Sequence, residues 1–360
     1  MASIHDLPTP ALLLDLDVLE RNLHRMSERA AAFGVAMRPH IKTHKSLEVA
    51  ALQKALGIRG ITVSTLYEAR VFADAGYEDL TWAFPVILTR LSEVQELAGR
   101  VTLRLVVDSP EAVSALEALG RPLHVWLKVD CGYHRAGVDP ESPEAVALAR
   151  RLAESPTLIF DGLLTHSGHA YHGKGRAELA AIAEQERGVM AGFAERLRSE
   201  GIAVPEVSVG STPALSAVES LSGVTEIRPG NYVFHDYTQV AIGTCAVGDC
   251  AVTVLSSVVS RRPDHSVVDA GALAMSKDLG PDGSASLGEV FNDYGSGTLD
   301  SEVRLTSLSQ EHGILSAPRP VGSRLRILPN HSCLTAAMFD EYAVVRGEEV
   351  VDHWKIWRGR

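Results

Sequence analysis

Along the first two thirds of the chain, short apolar runs alternate with amphipathic stretches. The strand-like runs fall at Met37–Ile41, Ile61–Ser64, Leu80–Phe84, Leu103–Val107, His124–Val129, Leu158–Leu164, Glu206–Val209 and Thr225–Ile227. Between them apolar residues recur at helical spacing over Leu47–Leu56, Leu66–Ala75, Leu91–Leu97, Pro110–Leu119, Pro143–Ala153, Ala177–Ser199 and Pro213–Leu221. Ser46 and Ser109 stand where N-caps are needed. Eight strands alternating with helices predict an α/β chain built as a (β/α)8 barrel. An open doubly wound sheet is disfavoured, because no G-x-G-x-x-G opens a helix after the first strand. Ahead of the barrel strands, Ala11–Leu16 reads as a buried strand and Val18–Phe33 as a helix with Asp17 as its cap.

After Tyr237 the pattern shortens. Cys250–Ser260, His265–Ala274, Glu302–Ser307, Arg324–Leu328 and Tyr342–Val351 are β-rich runs separated by Gly, Pro, Asp and Asn, with no long helix among them. A mostly antiparallel β-domain is expected there. The barrel is placed at residues 12–235, with residues 1–11 and 236–360 forming the β-domain.

Composition narrows the function. A formal charge of −11 argues against a nucleic-acid partner or an anionic membrane surface. No apolar run reaches membrane-spanning length, and Met1–Asp6 lacks the layout of a signal peptide, so a soluble cytoplasmic protein is expected. Cys131, Cys245, Cys250 and Cys333 are too scattered for a disulfide framework, and cysteine chemistry is expected of single thiols.

The basic residues gather in Arg38-Pro39-His40-Ile41-Lys42-Thr43-His44-Lys45-Ser46. If the strand continues through this run, alternation puts Arg38, His40, Lys42 and His44 on one face. A lysine among other cations sheds its proton more readily, which prepares it for Schiff-base chemistry. The plainer reading is a set of solvated basic residues before a helix. Barrel active sites lie at the C-terminal strand ends. Those ends are unusually polar here, reading Lys42-Thr43-His44, Ser64-Thr65, Lys128-Val129-Asp130, Thr165–His169, Ser208–Thr212 and Arg228–Asn231. Gly210-Ser211-Thr212-Pro213 and Gly230-Asn231 follow strands seven and eight, where barrels commonly hold a phosphate on backbone N–H groups. A phosphate site opposite a primed lysine points to pyridoxal phosphate.

The segments R-P-H-I-K-T-H-K, K-V-D-C-G-Y-H-R-A-G, G-S-T-P, R-P-G-N-Y-V-F and P-N-H-S-C, in this order, resemble the fold-type III pyridoxal-phosphate enzymes with an alanine racemase-like barrel. Among these the chain is most similar to the D-serine dehydratase and D-threonine aldolase group. The resemblance implies that Lys42 is the Schiff-base lysine, with Lys45 a solvated neighbour. It implies that Arg228 faces the pyridine nitrogen and Arg135 the ring hydroxyl, with His40, Tyr171, Ser211, Thr212, Gly230 and Asn231 as further cofactor contacts. An arginine at the pyridine nitrogen keeps that nitrogen unprotonated and weakens the electron sink. His169 is the candidate for proton exchange with the substrate, and it shares a face with Tyr171 if the segment stays extended.

His331 and Cys333 lie two apart, so in an extended segment both emerge from one face, and imidazole with thiolate suits zinc. The pair by itself is a weak signal. With the resemblance it implies a divalent ion, zinc before manganese or magnesium, placed against the β-hydroxyl of the substrate. The expected activity is a lyase acting on D-β-hydroxy-α-amino acids, of the D-serine or D-threonine dehydratase kind, releasing a keto acid and ammonia. The alternative is D-threonine aldolase cleavage to glycine and an aldehyde. A racemase, which needs no metal pair, and a non-catalytic pyridoxal-phosphate-binding protein are more distant. A homodimer is expected from the resemblance alone.

Overall fold

The computed structural model describes residues 2–280 and 285–360, so Met1 and residues 281–284 of the expected β-domain lie outside the description. The chain forms two compact units. One comprises Met26–Lys42, Gln53–Gly230 and Gly359–Arg360, and the other Met1–Arg25, Thr43–Leu52 and Asn231–Arg358.

The first unit is the parallel barrel. Its strands are Ala36–Met37, Ile61–Val63, Asp79–Pro85, Thr102–Val107, Leu123–Lys128, Leu158–Leu164, Glu206–Val209 and Glu226–Ile227. They pair in sequence order, with the eighth beside the first. A parallel bridge from His40 to Thr62 joins the first to the second and closes the ring. Leu80, Leu105, Val125, Leu127 and Val207 are wholly buried, as strands covered by helices require. Helices follow at Leu66–Asp74, Leu91–Ala98, Pro110–Glu117, Pro143–Glu154, Arg176–Ser199 and Thr212–Ala217. Ser109 caps its helix by accepting from the Ala112 N–H.

Inside the barrel runs a chain of paired charges. Arg38 donates to Glu226 at 2.8 Å and to Asp79 at 2.6 Å. Asp79 also accepts from Arg104 at 2.8 Å, Arg104 meets Asp161 at 2.8 Å, and Asp161 meets the His124 ring at 2.8 Å. This corrects the expected common basic face, because the first strand ends at Met37 and Arg38 is fully buried among carboxylates.

The second unit is a closed β-barrel. Its strands run in the order Val252–Arg261, Ser266–Val268, Gly313–Leu315, Thr298–Leu308, Gly288–Asp293 and Arg324–Leu328, and the last pairs back onto the first. All these pairings are antiparallel. The strand Ala11–Asp15, expected inside the barrel boundary, instead pairs antiparallel with Val252–Leu255 and parallel with Ala343–Val345. Two further expectations change. The run at His265–Ala274 is a short strand and then the helix Ala272–Met275, and Tyr342–Val351 is a hairpin of Glu341–Arg346 with Glu349–Lys355. Asp15, not Asp17, caps the helix Leu16–Phe33, its carboxylate accepting from the Val18 N–H at 3.0 Å. No helix among the described residues is long and apolar enough to cross a membrane.

Candidate active site

Lys42 sits in a single 3-10 turn, Ile41–Thr43, which carries its exposed side chain beyond the first barrel strand. A turn replaces the extended segment, so strand alternation does not place His40 or His44 beside it. His40 is half-buried, and its Nδ1 lies 3.4 Å from the Lys42 N–H. Ser46 caps the next helix, Leu47–Ala55, with its Oγ 3.4 Å from the Val49 N–H.

Electrostatically the strand ends of this unit converge on His166. Burial lowers the pKa of His166 well below that of free histidine, and Lys42, Lys128 and Arg135 push it the same way. The ring is therefore neutral, its Nδ1 3.1 Å from the Gly210 carbonyl. Lys128, at the end of the fifth strand, is pulled down to about 8 by burial and by Arg228 and Arg135. Arg228, 6% exposed, donates to the Ser208 hydroxyl and the Thr165 carbonyl. Burial lowers its pKa to about 10 against the pull of Glu226 and Glu186.

Two loops bring these groups together. Gly210 has φ +117°, and a Cβ there would come within 3.0 Å of Leu215, so only glycine makes this turn without strain. Ser211 caps Thr212–Ala217 and meets the Ser167 hydroxyl at 3.2 Å; Ser211 and Thr212 are both buried. The buried Glu186 carboxylate accepts the N–H of Ser167 at 3.0 Å and of Gly210 at 3.2 Å, holding the loop after strand six against the loop after strand seven. Gly230 is half-buried beyond Arg228. The Asn231 side chain turns to Asp236 at 2.8 Å and Ser332 at 3.0 Å, so any part it has in holding a phosphate falls to its backbone.

The Arg135 guanidinium lies 4.9 Å from the centre of the Tyr133 ring, and Tyr133 stacks on His169 at 6.2 Å. A Cβ on Gly168 would strike Tyr133 at 2.3 Å, so this stack needs glycine there. Both His169 ring nitrogens are buried without a hydrogen-bond partner, which is costly unless a ligand supplies one. The segment Gly168–His172 is a 3-10 helix, not extended chain, so the face expected to be shared by His169 and Tyr171 does not form.

In the β-barrel unit, His331 caps the helix Ser332–Ala336, with Cys333 inside its first turn. The extended geometry expected for this pair is therefore absent, yet the two side chains hydrogen-bond each other. Asp278 holds His331 Nδ1 at 2.6 Å, which leaves the other ring nitrogen for a ligand. Burial opposes charge on His331, but Asp278 and Cys333 together raise it to about 11. The thiol of Cys333 lies 3.2 Å from the Thr43 hydroxyl. Imidazole and thiol side by side suit a borderline-soft divalent ion, and among the described residues no third His, Cys, Asp or Glu completes a protein cage.

Glu186, Tyr133, Ser208, Glu226 and Asp278 escaped the sequence reading. Glu186 left a trace, since it stands on the apolar stripe Leu179, Ala183, Met190, Phe193, Leu197 of its helix, where a carboxylate needs a reason to be buried. The others carry no local signal.

A closed parallel barrel with cationic strand ends, followed by a β-barrel unit with a His/Cys pair, defines a two-domain enzyme of the alanine racemase type. The chain belongs to the alanine racemase N-terminal domain family, whose description matches residues 14–238, and a putative serine dehydratase domain matches residues 251–345. It is similar to the D-threo-3-hydroxyaspartate dehydratase of Delftia sp. (strain HT23), at 41% identity over 98% of both chains. The solved structure of that dehydratase superposes with a TM-score of 0.95 and 39% identity over all of both chains. D-serine dehydratase of Dictyostelium discoideum is 35% identical over 98% of this chain and 97% of its own. D-threonine aldolase of Arthrobacter sp is 33% identical over 97% of this chain and 92% of its own.

Proposed function

We propose that this chain is a pyridoxal-phosphate- and metal-dependent lyase that dehydrates D-amino acids bearing a β-hydroxyl, releasing a keto acid and ammonia. The observation that carries the reading is the gathering of Lys42, Lys128, Arg135 and Arg228 around a neutral His166, with Glu186 as the nearby buried carboxylate. Such a surplus of positive charge suits a phosphate-bearing anion. Bound there, the cofactor would supply an electron sink for the α-carbon, and the divalent ion a Lewis acid for the β-hydroxyl.

Lys42 bonds the cofactor aldehyde and takes the α-proton at its Nζ. Arg228, fixed by Ser208 and Thr165, faces the pyridine nitrogen and keeps it unprotonated. Arg135 and Tyr171 orient the ring, with His40 beside the lysine turn. The loops of Ser211, Thr212, Gly230 and Asn231 bind the phosphate. His169, whose buried nitrogens need a partner, exchanges a proton with the substrate. His331 and Cys333 hold the ion, zinc before manganese or magnesium, with Asp278 orienting the imidazole. A metal-free form of the Delftia dehydratase has been solved, a description suited to an enzyme that otherwise carries a metal. On kinship we further propose a cytoplasmic homodimer.

The second reading, aldol cleavage, is favoured by the similarity to D-threonine aldolase. Incubation with D-threonine separates the two: oxobutyrate with ammonia supports dehydration, whereas glycine with acetaldehyde supports cleavage. Prolonged chelation should abolish turnover while cofactor absorbance persists. Full activity in a verified metal-free sample would reduce His331 and Cys333 to a structural role.

A further inference from the structure

Cys245 and Cys250 bracket the 3-10 turn Val247–Asp249 and were expected to act, if at all, as single thiols. The turn folds back on itself. The Cys250 N–H donates to the Val247 carbonyl at 3.0 Å, Asp249 N–H to the Ala246 carbonyl at 3.0 Å, and Ala246 N–H to the Asp249 carboxylate at 3.0 Å. Cys250 is thereby buried with Phe291 and Leu328, and the half-buried Cys245 packs against the same cluster.

His235 completes the group. It is 7% exposed, adopts a left-handed φ of +50° that histidine seldom takes, and keeps a buried Nδ1 without a hydrogen-bond partner. Its neighbour Phe234 accepts from the Ala251 N–H at 2.8 Å, which pins His235 beside the cysteine turn.

We propose that Cys245 and Cys250 are a peroxide-oxidisable dithiol, with Cys245 as the attacking sulfur, Cys250 as the resolving sulfur and His235 as the positioning residue. A hydrogen bond from Cys250 lowers the Cys245 pKa to about 6, burial opposes this, and His235 lowers it further. The Cys250 pKa is raised by Cys245 and by burial, with Asp236 and Asp249 adding to the effect. Cys245 is thus a thiolate at neutral pH while Cys250 keeps its proton.

The Cys245 sulfur attacks one oxygen of hydrogen peroxide. The O–O bond breaks, and the departing hydroxide takes a proton to leave as water. Cys245 is then a sulfenic acid, and peroxide has been reduced by two electrons. The Cys250 sulfur next displaces the hydroxyl: the S–S bond forms, the S–O bond breaks, and the Cys250 proton leaves in a second water. An added dithiol reverses the modification by thiol–disulfide exchange.

The test treats the full chain with a few equivalents of hydrogen peroxide, alkylates the remaining thiols and maps tryptic peptides. The peptide ending at Arg261 carries Cys245 and Cys250 and neither other cysteine. It should lose two hydrogens, resist alkylation and recover with dithiol, while Cys131 stays reduced. Cys250→Ser should trap a sulfenic acid on Cys245 that dimedone captures. His235→Asn should slow Cys245 alkylation at pH 7 by about threefold, because a low-pKa thiolate gains in population more than it loses in nucleophilicity. Full alkylation of both cysteines after peroxide treatment that oxidises other thiols would overturn the proposal. So would a sulfenic acid found on Cys250 rather than Cys245.

Discussion

The parallel barrel buries two groups of charges, and they differ in balance. Inside the barrel, Arg38 and Arg104 are interleaved with Glu226, Asp79 and Asp161, and each guanidinium meets two carboxylates. At the strand ends, Lys42, Lys128, Arg135 and Arg228 gather around His166 with Glu186 as the nearby buried carboxylate. The balanced group answers itself and serves the fold. An unbalanced one is costly to assemble and is explained only by what it binds.

The largest effect should come from the unbalanced group. Lys42→Ala is expected to lower keto-acid formation by at least about 10³-fold, measured in steady-state assays with D-threonine. The change should be nearly silent in thermal unfolding, because Lys42 is exposed. A large loss of stability would put Lys42 with the structural charges. In the balanced group the pattern should invert. Glu226→Ala strands the fully buried Arg38 and should cost about 3–5 kcal/mol in urea unfolding.

Acid sharpens the contrast. Burial opposes charge on Asp79, but Arg104 and Arg38 hold its pKa at about 2. A carboxylate with a lowered folded pKa stabilises the protein above its unfolded value and loses that contribution as pH falls through the folded one. The loss should therefore run from about pH 4 down to pH 2 and amount to about 2 kcal/mol. Arg104→Met should remove most of it. A wild-type pH–stability curve that is flat across this window would contradict the assignment.

Lys128 titrates the other way. Its folded pKa of about 8 lies below the unfolded 10.5, so its charge destabilises the fold at neutral pH, and the penalty disappears between pH 8 and 10.5. Lys128→Met is expected to stabilise the cofactor-free protein by about 1–2 kcal/mol at pH 7. It should also reduce the shift in melting temperature produced by pyridoxal phosphate. A variant that is less stable than wild type would move Lys128 into the balanced group.

How far the sequence foretold these regions follows from the range of the interactions. The eight barrel strands were legible because parallel strands buried on both faces are continuous apolar runs, and Leu158–Leu164 and Glu206–Val209 fell where expected. Lys42, Arg228 and the Gly210 turn were legible because each lies in a short motif at a strand end. Their partners were not, since Glu226, Asp79 and Glu186 meet Arg38 and the loops across long stretches of chain. Arguments from strand alternation failed at Arg38–His44, His169–Tyr171 and His331–Cys333, where turns and short helices replace extended chain. Cys245 and Cys250 looked scattered because their meeting depends on a turn that no motif announces.

The most direct measurement is to load the protein with pyridoxal phosphate, reduce it with borohydride and map the modified peptide. Labelling confined to Lys42 is the predicted result. A label on Lys45, Lys128 or a surface lysine, with Lys42 unmodified, would contradict the claim that the unbalanced cations exist to hold this cofactor.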